Sequence, residues 1–179
     1  MVMKHFNRLT LKFILLSVFV LLFAGNNDVY AQKDRQPEPL KYEIYSDGVG
    51  AQGTYLIRVY LFTKNVRKVN DPDLKKAAVH GVLFRGFTSL EKGGVSQKPL
   101  ISDPTAESQH SKYFKEFFSN EGRFMNFATI IPSSYEVVKG GTKAFKYKIC
   151  VTAQVHKDAL RKEMETNGII KSLSNVFNK

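Results

Sequence analysis

"AFKYKICVTAQV", Ala144–Val155, is the stretch whose reading decides the fold. Phe145, Tyr147, Ile149, Val151, Ala153 and Val155 alternate with Lys146, Lys148, Cys150, Thr152, Gln154 and, just beyond, His156. A period of two puts the first set on one sheet face and the second set on the other. One face is apolar throughout, while the other carries lysines and small polar groups, as a half-buried antiparallel strand does. Cys150 is the exception on the second face. A free cysteine behaves as a small hydrophobe, so burial is its expected state, and a loop or helix must then reach across part of that face.

The neighbouring segments extend the sheet. Gly140-Gly141 of "GGT" supplies the positive φ angles of a tight hairpin turn, leading back to a strand at "SYEVVK", Ser134–Lys139. Phe124–Ile131 predicts a further strand, which Pro132 interrupts. Upstream, "TYLIRVYLF", Thr54–Phe62, is rich in β-branched and aromatic residues and pairs as a hairpin with "KYEIYS", Lys41–Ser46.

Helices fill the intervals. In "NDPDLKKAAVHGVLF", Asp71 is the expected cap and Pro72 the first helical residue. Leu74, Ala77, Ala78, Gly81 and Val82 recur at helical spacing, and the small residues among them allow close approach to the sheet. Gly86 or the residues after it end this helix. "TSLEKGGVSQKPLIS" reads as a loop, and Asp103-Pro104 starts a second helical segment through "HSKYFKEFF", stopped by "NEG". Its four aromatics are read as packing, because so much aromatic area must be buried. Asp158 is the expected cap of a helix through Thr166, closed by Asn167-Gly168, and "IIKSLSNVF" predicts a short amphipathic tail helix. The order predicts an α+β fold: a single antiparallel sheet of about five strands with helices packed mainly on one face.

"GVGAQG", Gly48–Gly53, spells G-x-G-x-x-G. A dinucleotide site needs such glycines to open a helix whose amides meet pyrophosphate, but here a strand pattern follows at once. The glycines are therefore read as a hairpin connection that tolerates positive φ.

The N-terminus carries Lys4, Arg8 and Lys12, then the apolar run Phe13–Gly25, then Val29 and Ala31 at small-residue cleavage spacing. That is the plan of a secretory signal peptide over residues 1–31, cut after Ala31. The apolar run is shorter than the ~20 residues that span a bilayer. Residues 32–40, polar with two prolines, form a flexible leader, and residues 41–179 form a single α+β domain. The formal charge of the chain is +11. Losing Lys4, Arg8, Lys12 and Asp28 with the leader leaves about +9, an excess that draws a protein toward anionic surfaces. Cys150 is the only cysteine, so no disulfide forms within one chain. The "YAQ" junction at Tyr30–Gln32 and the lysine-rich, tryptophan-free body resemble the uncharacterised exported proteins of Bacteroidota. The resemblance implies a periplasmic or surface address in a Gram-negative cell and no mechanism.

A reaction centre has little support. His80, His110 and His156 follow the leader with no two at helical metal-pair spacing, and there is no H-E-x-x-H, cysteine pair or calcium-loop spelling. No serine stands in G-x-S-x-G. Cys150 and His156 are six residues apart on one strand, ~20 Å, too far to touch. No catalytic, metal or cofactor residue is assigned. The expected function is a non-enzymatic, exported, periplasmic module that binds an envelope protein or serves an envelope assembly as an accessory subunit. The alternative is a binder of anionic glycan, lipid head groups or another polyanion through a lysine-rich surface, Lys139, Lys143, Lys146 and Lys148; an unrecognised hydrolase ranks third. Export makes nucleic acid the least expected partner, and the sequence does not set the oligomeric state.

Overall fold

The structure, a computed structural model, describes residues 40–91, 94–139 and 144–172. The expected signal peptide and nearly all of the leader, the Gly140-Gly141 turn, Lys143 and the chain from residue 173 lie outside these. Among the described residues, five strands form one sheet: β1 (Tyr42–Ser46), β2 (Tyr55–Thr63), β3 (Thr88–Ser89), β4 (Ala128–Lys139) and β5 (Tyr147–Val155). Their order is β3-β1-β2-β5-β4. The β1–β2, β2–β5 and β5–β4 pairs are antiparallel, and β3 runs parallel to β1. The helices are α1 (Asp71–Phe84), α2 (Ala106–Gln109), α3 (Ser111–Phe117) and α4 (Lys157–Thr166).

The alternation in β5 places the core. Ile149, Val151, Ala153 and Val155 are fully enclosed, together with Ile57, Val59 and Leu61 of β2. Each large apolar side chain buried in this way contributes roughly 1.5–3 kcal/mol. On this face α1 lies so close that a methyl group at Gly81 would stand 2.5 Å from Ile44 Cδ1. Burial on α1 extends to Val79 and Leu83, beyond the face read from the sequence. The aromatics of α3 pack as expected: Phe114, Phe117 and Phe118 are buried, and Phe84 lies 5.0 Å from Phe114. Leu160 and Met164 of α4 enter the same core.

Several expectations need correction. The cap of α1 is Asn70, not Asp71. Its side chain accepts from the Asp73 amide while the Asp73 carboxylate accepts from the Asn70 amide, so Pro72 is the second helical residue. No side chain caps α4; His156 precedes it and Asp158 lies in its first turn. Residues 169–172 are not helical. Gly168, at φ +69°, closes α4 as Ile169 and Gly168 donate to the carbonyls of Met164 and Glu165. That six-to-one and five-to-two pattern turns the chain back and lets Ile169 and Ile170 pack on the core.

The strands after α3 also differ. Arg123–Phe127 is a 3₁₀ turn, and β4 then runs through Pro132 without ending. Proline is tolerated there because β4 is an edge strand and needs no donor on its outer side. Its register against β5 shifts between Ile131 and Glu136. At the shift the Ser134 hydroxyl donates to the Ile131 carbonyl and accepts from the Thr152 amide at 2.7 Å, replacing a ladder bond. The fifth strand comes instead from Thr88–Ser89, within the segment read as a loop. The sheet is accordingly mixed, though mostly antiparallel.

Candidate functional site

Four places among the described residues bear on a candidate site. The glycine-rich connection is the first. Gly48 and Gly53 have φ of +116° and +76°, values that L side chains rarely adopt. The loop closes as the Asp47 amide donates to the Leu56 carbonyl and the Thr54 amide to the Ala51 carbonyl. Beside it is a hollow of about 290 Å³, reaching Tyr55, Phe87, Val95 and Lys157. What the loop turns toward the start of α4 is a carbonyl: Gly53 O accepts from the Asp158 amide at 3.3 Å. A methyl group on Gly53 would meet the Asp158 carboxylate at 2.8 Å. An incoming phosphate would face that carboxylate. The glycines bend the chain.

The second place is a relay that the sequence did not reveal. Tyr42 Oη lies 2.6 Å from His80 Nδ1, and His80 Nε2 lies 3.1 Å from Glu107 Oε1. A carboxylate only accepts, so Nε2 carries the proton toward Glu107; Nδ1 of the neutral ring then accepts from the Tyr42 hydroxyl. Burial pushes the Tyr42 phenol up to about 12 against the opposing charge of Arg85, whose guanidinium lies 4.2 Å over the ring. Burial likewise lowers His80, with Glu107 opposing the shift. The spacing imitates a nucleophile, base and orienting acid. However, Tyr42 is only 4% exposed, and its environment holds the phenol as a neutral donor. The relay satisfies buried polar groups beside Phe84 and Phe118.

The third place is the open face of the sheet, opposite the helices. Asp47, first in the β1–β2 connection, reaches over it to accept from Thr152 Oγ1 at 2.5 Å and pair with Arg58. Cys150 stands opposite Tyr60 on β2 and Glu136 on β4 and is buried, as expected for this thiol. Its charged and hydrogen-bonding neighbours are Arg58 and Tyr60 on β2, Glu136 on β4 and Asp47 of the β1–β2 connection. Burial pushes the Cys150 thiol up, with Arg58 and Tyr60 opposing. His80 stands on α1, across the sheet, and is not placed to draw the proton of Cys150. Among the described residues no group of three or more His, Cys, Asp or Glu side chains is placed to hold a metal ion, and no helix is long and apolar enough to cross a membrane.

The fourth place is the last part of β4. Glu136, Val137, Val138 and Lys139 pair with Cys150, Ile149, Lys148 and Tyr147. Val137 neighbours the fully buried Ile149 yet is itself 41% exposed, so the helical cover stops at β5. Tyr135 is 45% and Val138 37% exposed. Apolar side chains thus stand on both faces of a strand that, among the described residues, has a neighbour on one side only. Alternate residues of such a strand point their amides and carbonyls outward, an open template for another strand.

The lysines singled out from the sequence gather near this end but do not form one row. Lys139 closes β4, exposed, and Lys146 is exposed just before β5. Lys148 lies on the open face with Nζ 4.5 Å over the Tyr60 ring. Lys139 is in register with Tyr147 and Val138 with Lys148, so Lys139 and Lys148 point to opposite faces. Lys143 lies outside the described residues. The signal for the exposed strand was present in "YEVVK", whose apolar residues fall on both parities; the Tyr42–His80–Glu107 relay has no such local signal. Compared with known proteins, the chain matches no family model, no curated protein and no solved structure.

Proposed function

We propose that this protein is a non-enzymatic, exported module of the cell envelope that binds a partner protein through the free edge formed by the end of β4. The observation that carries the reading is the run Tyr135–Lys139: apolar on both faces, exposed and, among the described residues, without a neighbour on its outer side. A strand of this kind invites pairing unless it is short, charged or bulged. Pro132 and the bulge at Ser134 blunt the preceding residues; the last four residues of β4 carry charges at Glu136 and Lys139 but neither a proline nor a bulge across Val137 and Val138.

A photo-reactive phenylalanine analogue tests this in the exported full chain, placed at Val138 and, as control, at Leu90, which is exposed near the opposite edge. The expected result is a discrete protein adduct from position 138 and none from position 90. Recovery of the protein alone and monomeric, with no adduct from either site, overturns the reading. The second reading, a binder of anionic glycan or lipid head groups, draws on the clustering of Lys139, Lys146 and Lys148 at one end of the sheet. It requires affinity that collapses between low and high salt, and loss of binding on Lys146→Glu with Lys148→Glu.

A further inference from the structure

We infer that the occupant of the β4 edge is an extended acidic segment of the partner, added as a sixth strand alongside residues 135–139. This rests on the protein-binding reading and specifies its chemistry. An added strand bonds main chain to main chain, so it requires an extended peptide and leaves specificity to side chains on alternate faces. On one face the newcomer meets Val137 and Lys139, and on the other Glu136 and Val138, with Lys148 one strand further in. Apolar residues fit beside the valines, and each favourable cross-strand pair is worth roughly 0.2–1 kcal/mol.

Charge selects among occupants. Glu136 is the only acid in this half of β4, Lys139 ends it, and Lys146 is exposed just before β5, while Lys148, one strand further in, holds its ammonium over Tyr60 of β2. A second copy of the chain would bring the same lysines to the same edge, on a body already carrying about +9. Like charges brought together in this way oppose association, whereas opposite charges steer it. The complementary occupant alternates Glu or Asp with Val, Ile or Thr.

The test uses the exported chain and two synthetic extended peptides, one alternating glutamate with valine and threonine, the other with lysine replacing each glutamate. The acidic peptide is expected to bind ~10-fold or more tightly than the basic one and to slow amide exchange within residues 135–139. Lys139→Glu with Lys146→Glu is expected to erase the preference. Val137→Pro and Val138→Pro are made separately. One removes an amide that faces β5 and weakens the fold, while the other removes an outward amide and abolishes peptide binding with the fold intact. The inference is overturned if neither peptide slows exchange there, or if the acidic peptide binds and protects only other residues. It is also overturned if those amides become protected with rising protein concentration and no peptide, the signature of a second copy. A partner crosslinked at Val138 that docks as a helix would sink the acidic strand and leave the protein-binding reading standing.

Discussion

The two halves of β4 belong to one strand and share one neighbour, yet they live in different surroundings. Ala128 is buried and Ile130 packs on the core, with Phe124 and Phe127 just before them. Beyond the bulge, Tyr135, Glu136, Val137, Val138 and Lys139 are all exposed. Hydrophobicity does not separate the halves, since both are rich in β-branched residues. Cover separates them: the 3₁₀ turn and α1 reach the first half, and nothing described reaches the second. An apolar strand retained where the core has ended is better explained by what it meets than by what it packs on.

The largest effect expected from breaking this contrast lies beneath the covered half. Phe124→Ala empties a site that is 1% exposed and is expected to cost about 3–5 kcal/mol in denaturant unfolding. An outcome near zero would mean that the first half is as uncovered as the second.

The relay beside α1 sharpens the covered side. His80→Leu leaves the buried Tyr42 hydroxyl without its acceptor, an expected loss of about 1–3 kcal/mol. Adding Tyr42→Phe should recover part of that loss in a double-mutant cycle. The pH dependence has two limbs. His80 is depressed on folding, so its contribution is present above the ordinary histidine value of about 6.5 and is lost as pH falls through the folded value. Tyr42 is raised to about 12, so its contribution is present below the ordinary tyrosine value of about 10 and is lost as pH rises toward 12. Stability measured against pH should lose part of its acid limb in His80→Leu and part of its alkaline limb in Tyr42→Phe. Unchanged profiles would remove the relay from the account.

The junction of the two halves is expected to respond less. Ser134→Ala withdraws the acceptor of the Thr152 amide, at an expected cost of about 1 kcal/mol in thermal or chemical unfolding. The smallest effect belongs to the open half: Val138→Thr should stay within about 0.5 kcal/mol of the parent. A loss of several kcal/mol there would show that Val138 is a core residue.

Much of the sheet was legible because its signal is local. The alternation in Ala144–Val155 assigned the faces correctly, Thr54–Phe62 pairs with Lys41–Ser46 as a hairpin, and the aromatics of residues 113–118 went to the core as expected. What was illegible depends on distant partners. Thr88–Ser89 is a strand only because β1 lies beside it, and Pro132 is harmless only because β4 is at the edge. The cap at Asn70 was overlooked because the adjacent Asp-Pro pair carries the same chemistry one residue later. As for the candidate site, three of the four lysines mark its end of the sheet, whereas its strand core at Val137 and Val138 was read only as ordinary sheet. An exposed strand and a buried one share the same propensities; only the helical cover distinguishes them.

Amide hydrogen exchange across β4, with and without the acidic peptide, tests the central claim most directly. The account predicts rapid exchange of the outward amides in residues 136–139 of the free protein and marked slowing with the peptide, while residues 128–131 stay unchanged. Slow exchange of residues 136–139 in the free monomer, unmoved by the peptide, would contradict it.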